Sequence, residues 1–461
     1  MSVNGPLGAT ESGALEIRPG AERARAHALT DRGGLVALGG LLVTTLLIAV
    51  AAAQTNVLLP ESVRPVPSWL AGPFGSSGLS LGSVGAMVVL AAMFVAYVFA
   101  ARSAGRLSAR AVLMCIAGMH ALVLLAPPLL STDVFSYQFY GRMGAIYGAN
   151  PYLAGPHALA LDPLFPYIGA KWSYTPTVYG PLFTALSYAL APLSIAASAV
   201  AYKAIAAFSS LAIIALVWNS AKLRGIDPVK AVALVGLNPL IVVYGVGGAH
   251  NDLLMMVGLM AGVYLILAHR ERSGSAMMVA ASAIKLTAGL MLAFAVASGG
   301  GRRARDRRRD VLIGAAAAGV LLIGLAFAWF GVGPLHLFAT VQKVQSEGDW
   351  HSVPGLLGVE LGNTVGHISG IVLGSVFVVI CGRLLLRVWQ GRMDWIDAGA
   401  WTALALLLTA SSLLPWYVVW LLPLAALATD RRLWKLTIML SGAVELLQVV
   451  GYFPHAVLLV Q

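Results

Sequence analysis

Three ionisable residues sit where their neighbours are apolar: Asp133, Asp252 and Lys285. A charge at membrane depth costs free energy, so it is read as functional unless a partner offsets it. Asp133 follows directly on the apolar run 111–130. Asp252 lies in GGAHNDLLMM, where the run 251–268 begins. Lys285 lies inside the run 275–297, with no room to snorkel to a surface. A carboxylate can take the proton of a hydroxyl, and an ammonium can hold a phosphate. Asp252, its neighbour His250 and Lys285 also have plainer readings. Asn251 or Asp252 could cap a helix start, His250 could be a satisfied interfacial histidine, and Lys285 could only neutralise Asp252.

The segment 131–197 contains STDVFSYQFYGRMGAIYGANPYLAGPHALALDPLFPYIGAKWSYTPTVYGP. Aromatic faces beside polar edges are what sugar rings bind, so Tyr137, Tyr140, Asn150, Tyr152, Trp172 and Tyr179 are candidate substrate contacts. An interfacial aromatic belt would account for the Tyr and Trp. It would not account for Asp133, nor for the Pro/Gly-punctuated stretches 148–152 and 175–181. A second segment, 332–365, carries Glu347, Asp349, Trp350 and His351. Trp350 and His351, with Trp416 and Tyr417 at a later helix junction, are either acceptor contacts or interfacial anchors. No metal-ligand spacing stands out, so neither a metal nor a cofactor is expected.

The elements that must position these residues are membrane helices. The chain has 461 residues, 59% hydrophobic and 11% charged, with a mean hydropathy of +0.83. Soluble domains carry about a quarter charged residues. A cytosolic enzyme, a disulfide scaffold and a disordered chain are thereby excluded, and an all-α polytopic membrane protein is expected. Cys115 and Cys381 both lie in apolar runs, so no disulfide framework is implied. Most of the 30 Lys and Arg fall in every second gap between runs, and Lys- and Arg-rich gaps are cytoplasmic. The charge is therefore a topology signal, and no nucleic-acid partner is expected. The N-terminus is placed inside and the C-terminus outside, in the plasma membrane. Residues 1–33 read as a disordered cytoplasmic tail, and 34–461 as one transmembrane domain with outer loops at 131–197 and 332–365.

The run 275–297 breaks the alternation, because both flanks are basic. Two full crossings would need roughly 40 residues. A hairpin of two half-helices is the remaining solution, with its tip near Ile284–Thr287. Residues 180–196 read as a helix at the outer surface. The expectation is about 11 full crossings plus the hairpin, or about 13 helices if its halves are counted.

The stretches DVFSYQFYGRMGAIYGANPY, WSYTPTVYGP, GGAHNDLLM, AIKLTAG and LPWYVVW resemble the actinobacterial polyprenol-phosphomannose-dependent α-1,6-mannosyltransferases of the lipomannan and lipoarabinomannan pathway. Those enzymes are GT-C glycosyltransferases, and the likeness runs from about residue 34 onward. The resemblance implies a GT-C-like fold, a polyprenyl-phosphate mannose donor, a glycolipid or mannan acceptor, and an active site facing outward among membrane lipids. It also implies inversion at the anomeric carbon, with Asp133 as base and Asp252 and Lys285 brought to the site. Lys285 and Arg142 are the candidates for the leaving phosphate. The rival is a flippase for a polyprenyl-linked sugar or another secondary transporter. A broken helix suits it, but no internal repeat of the helix pattern is present. ATP-driven transport is excluded by the lack of a G-x-x-x-x-G-K-[ST] loop.

Overall fold

Backbone amides in hydrocarbon must be satisfied within the chain, so long apolar runs fold as helices. The computed structural model describes residues 19–54, 56–64, 67–298, 304–347 and 351–450, and among these there is no strand. Helices α1 (Pro19–Ala52), α2 (Ser83–Ser103) and α3 (Ala109–Leu125) pack together at the start. A loop region follows, with α4 (Asp133–Ala145), three short 3-10 turns and α5 (Pro181–Leu190). Next come α6 (Ile195–Leu223), α7 (Pro228–Gly236), a π-helical segment Leu240–Val246, and α8 (Asp252–Leu267). The chain continues through α9 (Glu271–Ser282), α10 (Gly289–Ala297), α11 (Ala304–Phe330), α12 (Leu337–Glu347) and α13 (Val353–Leu361). It ends with α14 (Asn363–Trp389), α15 (Trp395–Thr409), a 3-10 helix Pro415–Trp420, α16 (Leu422–Leu427) and α17 (Arg431–Val450). The result is an all-helical bundle with the apolar helices of a polytopic membrane protein.

Among the described residues, five helices are long and apolar enough to cross a bilayer, or six if α7 and the π-helical segment, bent by 49°, are one span. That is fewer than the eleven expected. The reason is local: α3 has 17 residues, α8 has 16 and α15 has 15, and Pro415 and Pro423 break the run 415–429 into a 3-10 helix and a short α-helix. Hydropathy shows the apolar stretch but not the caps and prolines that shorten its helix. The expected tail also differs. Residues 1–18 lie outside the described residues, but from Pro19 the backbone is already helical and runs on into the first apolar segment.

The segment 275–297 turns back on itself. Arg272, at the start of α9, pairs with Asp310 of α11 at 2.7 Å. Arg308, also on α11, donates to the carbonyl of Ala297 at the end of α10 at 3.3 Å. Both outer ends of α9 and α10 thus meet the same part of α11, while the break at Ala283–Lys285 points the other way, to the start of α8. The tip is held by α5: Gly180 N–H donates to Ile284 O at 2.9 Å and Leu182 N–H to Ala283 O at 3.0 Å. A Cβ on Gly180 would lie 2.2 Å from Ala283 O, so only glycine lets this backbone approach. The stretch ending VYGP therefore docks the hairpin.

Candidate active site

Two left-handed non-glycine residues precede the key side chains: Leu130 and Ala249, each with φ 58°. Such strain persists only where the surroundings fix it, and it clusters at functional sites. Leu129 N–H donates to Gly247 O at 2.9 Å, which ties the two strained turns together. A Cβ on Gly247 would lie 2.7 Å from the Leu129 side chain. The turn before Asp133 and the turn before His250–Asp252 are thus one unit.

Asp133 opens α4, where the helix dipole favours a carboxylate. Its Oδ2 takes a hydrogen bond from the Tyr137 hydroxyl at 3.3 Å. His250 Nδ1 is 3.2 Å from the same oxygen, close but not aligned as a hydrogen bond. Tyr137 in turn accepts from Asn251 N–H at 3.3 Å. Both contacts fall on Oδ2. Burial raises the Asp133 pKa, but His250, Lys285 and Tyr137 together hold it below the ordinary carboxylate value. The His250 ring stacks on Trp416 with centroids 3.5 Å apart and planes at 14°.

Asp252 and Lys285 form a second unit. Lys285 Nζ donates to Asp252 Oδ1 at 2.7 Å, and Trp420 Nε1 donates to the same oxygen at 2.7 Å. The ammonium also lies 4.7 Å from the centre of the Tyr417 ring and 5.2 Å from that of Trp420, distances at which a cation is attracted to the ring face. The Asp252 side chain is 1% exposed and that of Lys285 19%. Asp252 is therefore a buried partner, and the lysine is the half of the pair that reaches open space. Neither Asn251 nor Asp252 caps α8 through its side chain: the N-cap is Asn251, without a side-chain cap bond.

Asp133 and Lys285 line one open cleft of about 450 Å³, with Trp172, Tyr179, Trp416, Tyr417 and Trp420 in its walls. That volume lies within the range of small-ligand pockets, about 300–1,000 Å³. Trp420, Thr132, Thr287 and Lys171 also line it, and sequence reasoning did not single them out. The signal for Trp420 was available: in LPWYVVW it follows Trp416 and Tyr417 at one-turn spacing.

Other expected site residues lie elsewhere. Arg142 does not line the cleft. Its guanidinium binds Asp162 at 2.7 and 2.9 Å, and Tyr147 donates to the same carboxylate at 2.7 Å. Burial raises the Asp162 pKa, yet these two partners keep it lowered overall. The reading of Arg142 as a phosphate ligand is corrected on this ground: its charge is spent on holding the loop. Tyr140 donates to Thr175 O at 2.8 Å and Tyr152 to Tyr179 O at 3.0 Å, so both hydroxyls brace the loop's own backbone. Asn150 donates to Phe330 O at 2.8 Å and borders a separate recess between α4, α5 and α11. His351 is not among the residues lining the cleft, and Trp350 lies outside the described residues. Among the described residues no three His, Cys, Asp or Glu side chains gather as a metal site would require.

A family model described as "Alpha-(1->6)-mannopyranosyltransferase, N-terminal domain" matches residues 37–299, which hold every charged residue of this site. The chain belongs to this family. A second model, described as "MptB C-terminal domain", matches residues 352–450. The chain is 33% identical to alpha-(1->6)-mannopyranosyltransferase A of Mycobacterium tuberculosis, over 68% of this chain and 65% of that protein. It is 27% identical to a second alpha-(1->6)-mannopyranosyltransferase of that organism, over 67% of this chain and 64% of the relative. With alpha-(1->6)-mannopyranosyltransferase B of Corynebacterium glutamicum it shares 25% identity over 66% of this chain and 57% of the other. The chain thus spans slightly under two thirds of the length of the curated relatives it matches. No solved structure matches it significantly.

Proposed function

We propose that this chain is an inverting, GT-C-type mannosyltransferase that moves mannose from polyprenyl-phosphate mannose to a hydroxyl of a mannan-like acceptor, forming an α-1,6 linkage on the outer face of the membrane. The observation that carries the reading is the joint cleft: a carboxylate from α4 and an ammonium from the hairpin tip open on the same space. The names of the relatives supply the sugar and the linkage, and the basic gaps supply the orientation.

The acceptor oxygen attacks the anomeric carbon as the bond from that carbon to the phosphate oxygen breaks. Asp133 takes the hydroxyl proton. With its pKa held low it is ionised at neutral pH, and its Oδ1 carries no hydrogen bond from the protein among the described residues. Tyr137 donates to the other oxygen and so orients the base, with the His250 ring beside it. Polyprenyl phosphate leaves as a monoester, a good leaving group without a general acid. Lys285 stabilises the charge that develops on it. An ammonium has three donors, and Asp252 uses one, so the pair can stay intact while the phosphate binds. The aromatic walls suit sugar faces.

The test is transfer of labelled mannose from the polyprenyl donor by purified protein in lipid nanodiscs, which offer no second compartment. A labelled product with an α-1,6 linkage supports an enzyme. Absence of product, together with donor translocation in sealed vesicles, would establish the flippase instead.

A further inference from the structure

Helix α6 carries a charged residue that the chemistry above does not use. Lys203 is 2% exposed and sits about 12 Å into the helix from its first residue, at a rise of 1.5 Å per residue. Among the described residues it makes no ion pair. Its ammonium donates instead to three backbone carbonyls: Val123 O at 2.7 Å, Pro127 O at 3.1 Å and Ala126 O. The local sequence explains the need. Helix α3 ends at Leu125 with Ala126 as its C-cap, and the last carbonyls of a helix lack intrahelical donors. The usual remedy is a pair of N–H groups from the two residues after the cap. Here those residues are Pro127 and Pro128, which have no N–H. In hydrocarbon no water can take their place, and a cation is favoured at a helix C-terminus.

We propose that Lys203 is a positioning residue for the base Asp133. The proposal rests on the reading of the chain as a mannosyltransferase that uses that base. An ammonium has three hydrogens, and the three carbonyls take them all, so Lys203 has none left for a substrate. The carbonyls belong to the stretch of chain that leads into the site. Asp133 follows Pro127 by six positions, and the stretch between is held at three points. Leu129 N–H donates to Gly247 O at 2.9 Å, Leu130 N–H to Leu58 O at 3.2 Å, and Asp133 N–H to Ser131 Oγ at 3.2 Å. Leu130 is left-handed, at φ 58°. A leucine keeps that conformation only where its surroundings over-determine it, and the lysine anchors the stretch at its start. The adjacent Tyr202 reaches the same carboxylate by a second route. Its ring packs 5.5 Å from the Tyr137 ring, and the Tyr137 hydroxyl donates to Asp133 Oδ2. Two neighbouring residues of α6 thus set the backbone before Asp133 and the side chain that orients it.

The test is a double-mutant cycle on the full chain in nanodiscs, with the polyprenyl-phosphate mannose donor and rates counted per folded protein. Lys203→Met removes the donors and keeps an unbranched side chain. It should lower kcat on the order of a hundredfold, the cost of about 1 Å of misplacement, with the donor KM held within about twofold. In the Asp133→Asn background the base is already gone, and effects that run through one residue do not add. There Lys203→Met should change the residual rate by about twofold at most. A lysine that only supports the fold would slow both backgrounds alike. If the methionine variant does not fold, Lys203→Gln takes its place in the cycle, since its amide keeps two donors for the three carbonyls. Losses of equal size in the two backgrounds overturn the proposal. So does an unchanged kcat in the parent background, or a loss carried by the donor KM alone. No transfer of mannose by the parent chain would remove the transferase reading itself, and this proposal with it. Transfer by the parent with an additive Lys203 defect removes this proposal alone.

Discussion

The two ends of the helix bundle carry similar charges and treat them differently. At the end away from the cleft, Asp397 accepts from Thr429 N–H at 2.8 Å, Thr429 Oγ1 at 2.6 Å and Asp430 N–H at 3.2 Å. Asp394 caps α15 and pairs with Arg224 at 3.0 Å. At the cleft end, Asp252 Oδ2, Asn251 Nδ2 and His250 Nε2 are buried without hydrogen-bond partners among the described residues. Buried polar groups are normally paired, and an exception calls for a reason. At the far end both carboxylates are satisfied by the fold, although Arg224 Nε there is buried without a partner among the described residues, so its acids read as structure. The other withholds satisfaction, which is what a site awaiting reactants requires.

If that contrast is real, Asp133→Asn should give the largest effect on turnover. Loss of a general base removes about 10²–10⁴-fold in rate, and the amide keeps the shape and the Tyr137 contact. Donor binding should change little. Turnover within tenfold of the parent would remove Asp133 as base.

Lys285 tests whether the cleft end has a structural duty as well. Lys285→Met leaves Asp252 buried beside Trp420 without its cation, and breaking a buried pair costs about 3–5 kcal/mol. The low end applies, because the lysine is partly open. Thermal stability and donor binding should both fall. The double variant Lys285→Met/Asp252→Asn should regain stability but not donor binding. Recovery of both on that double variant would mean that the lysine served only its aspartate.

What the sequence disclosed follows the same division. The hairpin was legible because its flanking arginines forbid a single crossing, and Lys285 because a lysine in an apolar run has few alternatives. Asp133 stood out for the same reason. The helix count was less legible, since hydropathy does not register where a proline or a cap ends a helix. Arg142 misled because its partner, Asp162, lies twenty residues along an irregular loop, where no periodicity reports proximity. Tyr140 and Tyr152 have the composition of sugar contacts, yet their hydroxyls go to backbone carbonyls. Only tertiary structure separates a ring that faces a ligand from one that braces a loop.

At the satisfied end, Asp397→Asn should cost stability without touching chemistry. The new amide nitrogen would face either the Thr429 N–H, which now donates to Oδ1, or the Asp430 N–H, which now donates to Oδ2, donor against donor. A lost buried hydrogen bond of this kind is worth about 1–3 kcal/mol. The midpoint of thermal unfolding should drop while kcat of the folded fraction holds. A fall in kcat at unchanged stability would show that the two ends are coupled, and the contrast would have to be redrawn.

The smallest effect is expected at Lys171, a second cation at the cleft. Its ammonium lies 5.7 Å from the centre of the Trp172 ring, and the residue is exposed to solvent. An exposed cation–π contact is worth about 0.5–1 kcal/mol, which corresponds to a few-fold change in KM. Exposed charges are screened within about 10 Å at 0.1 M salt, whereas Lys285 is shielded by two rings and an aspartate. Lys171→Met should therefore raise the donor KM only a few-fold at low ionic strength, and the difference should vanish at 0.5 M salt. The defect of Lys285→Met should persist at both. If Lys171→Met matched Lys285→Met in size and in salt resistance, the phosphate would be held at the mouth of the cleft and not at the hairpin tip.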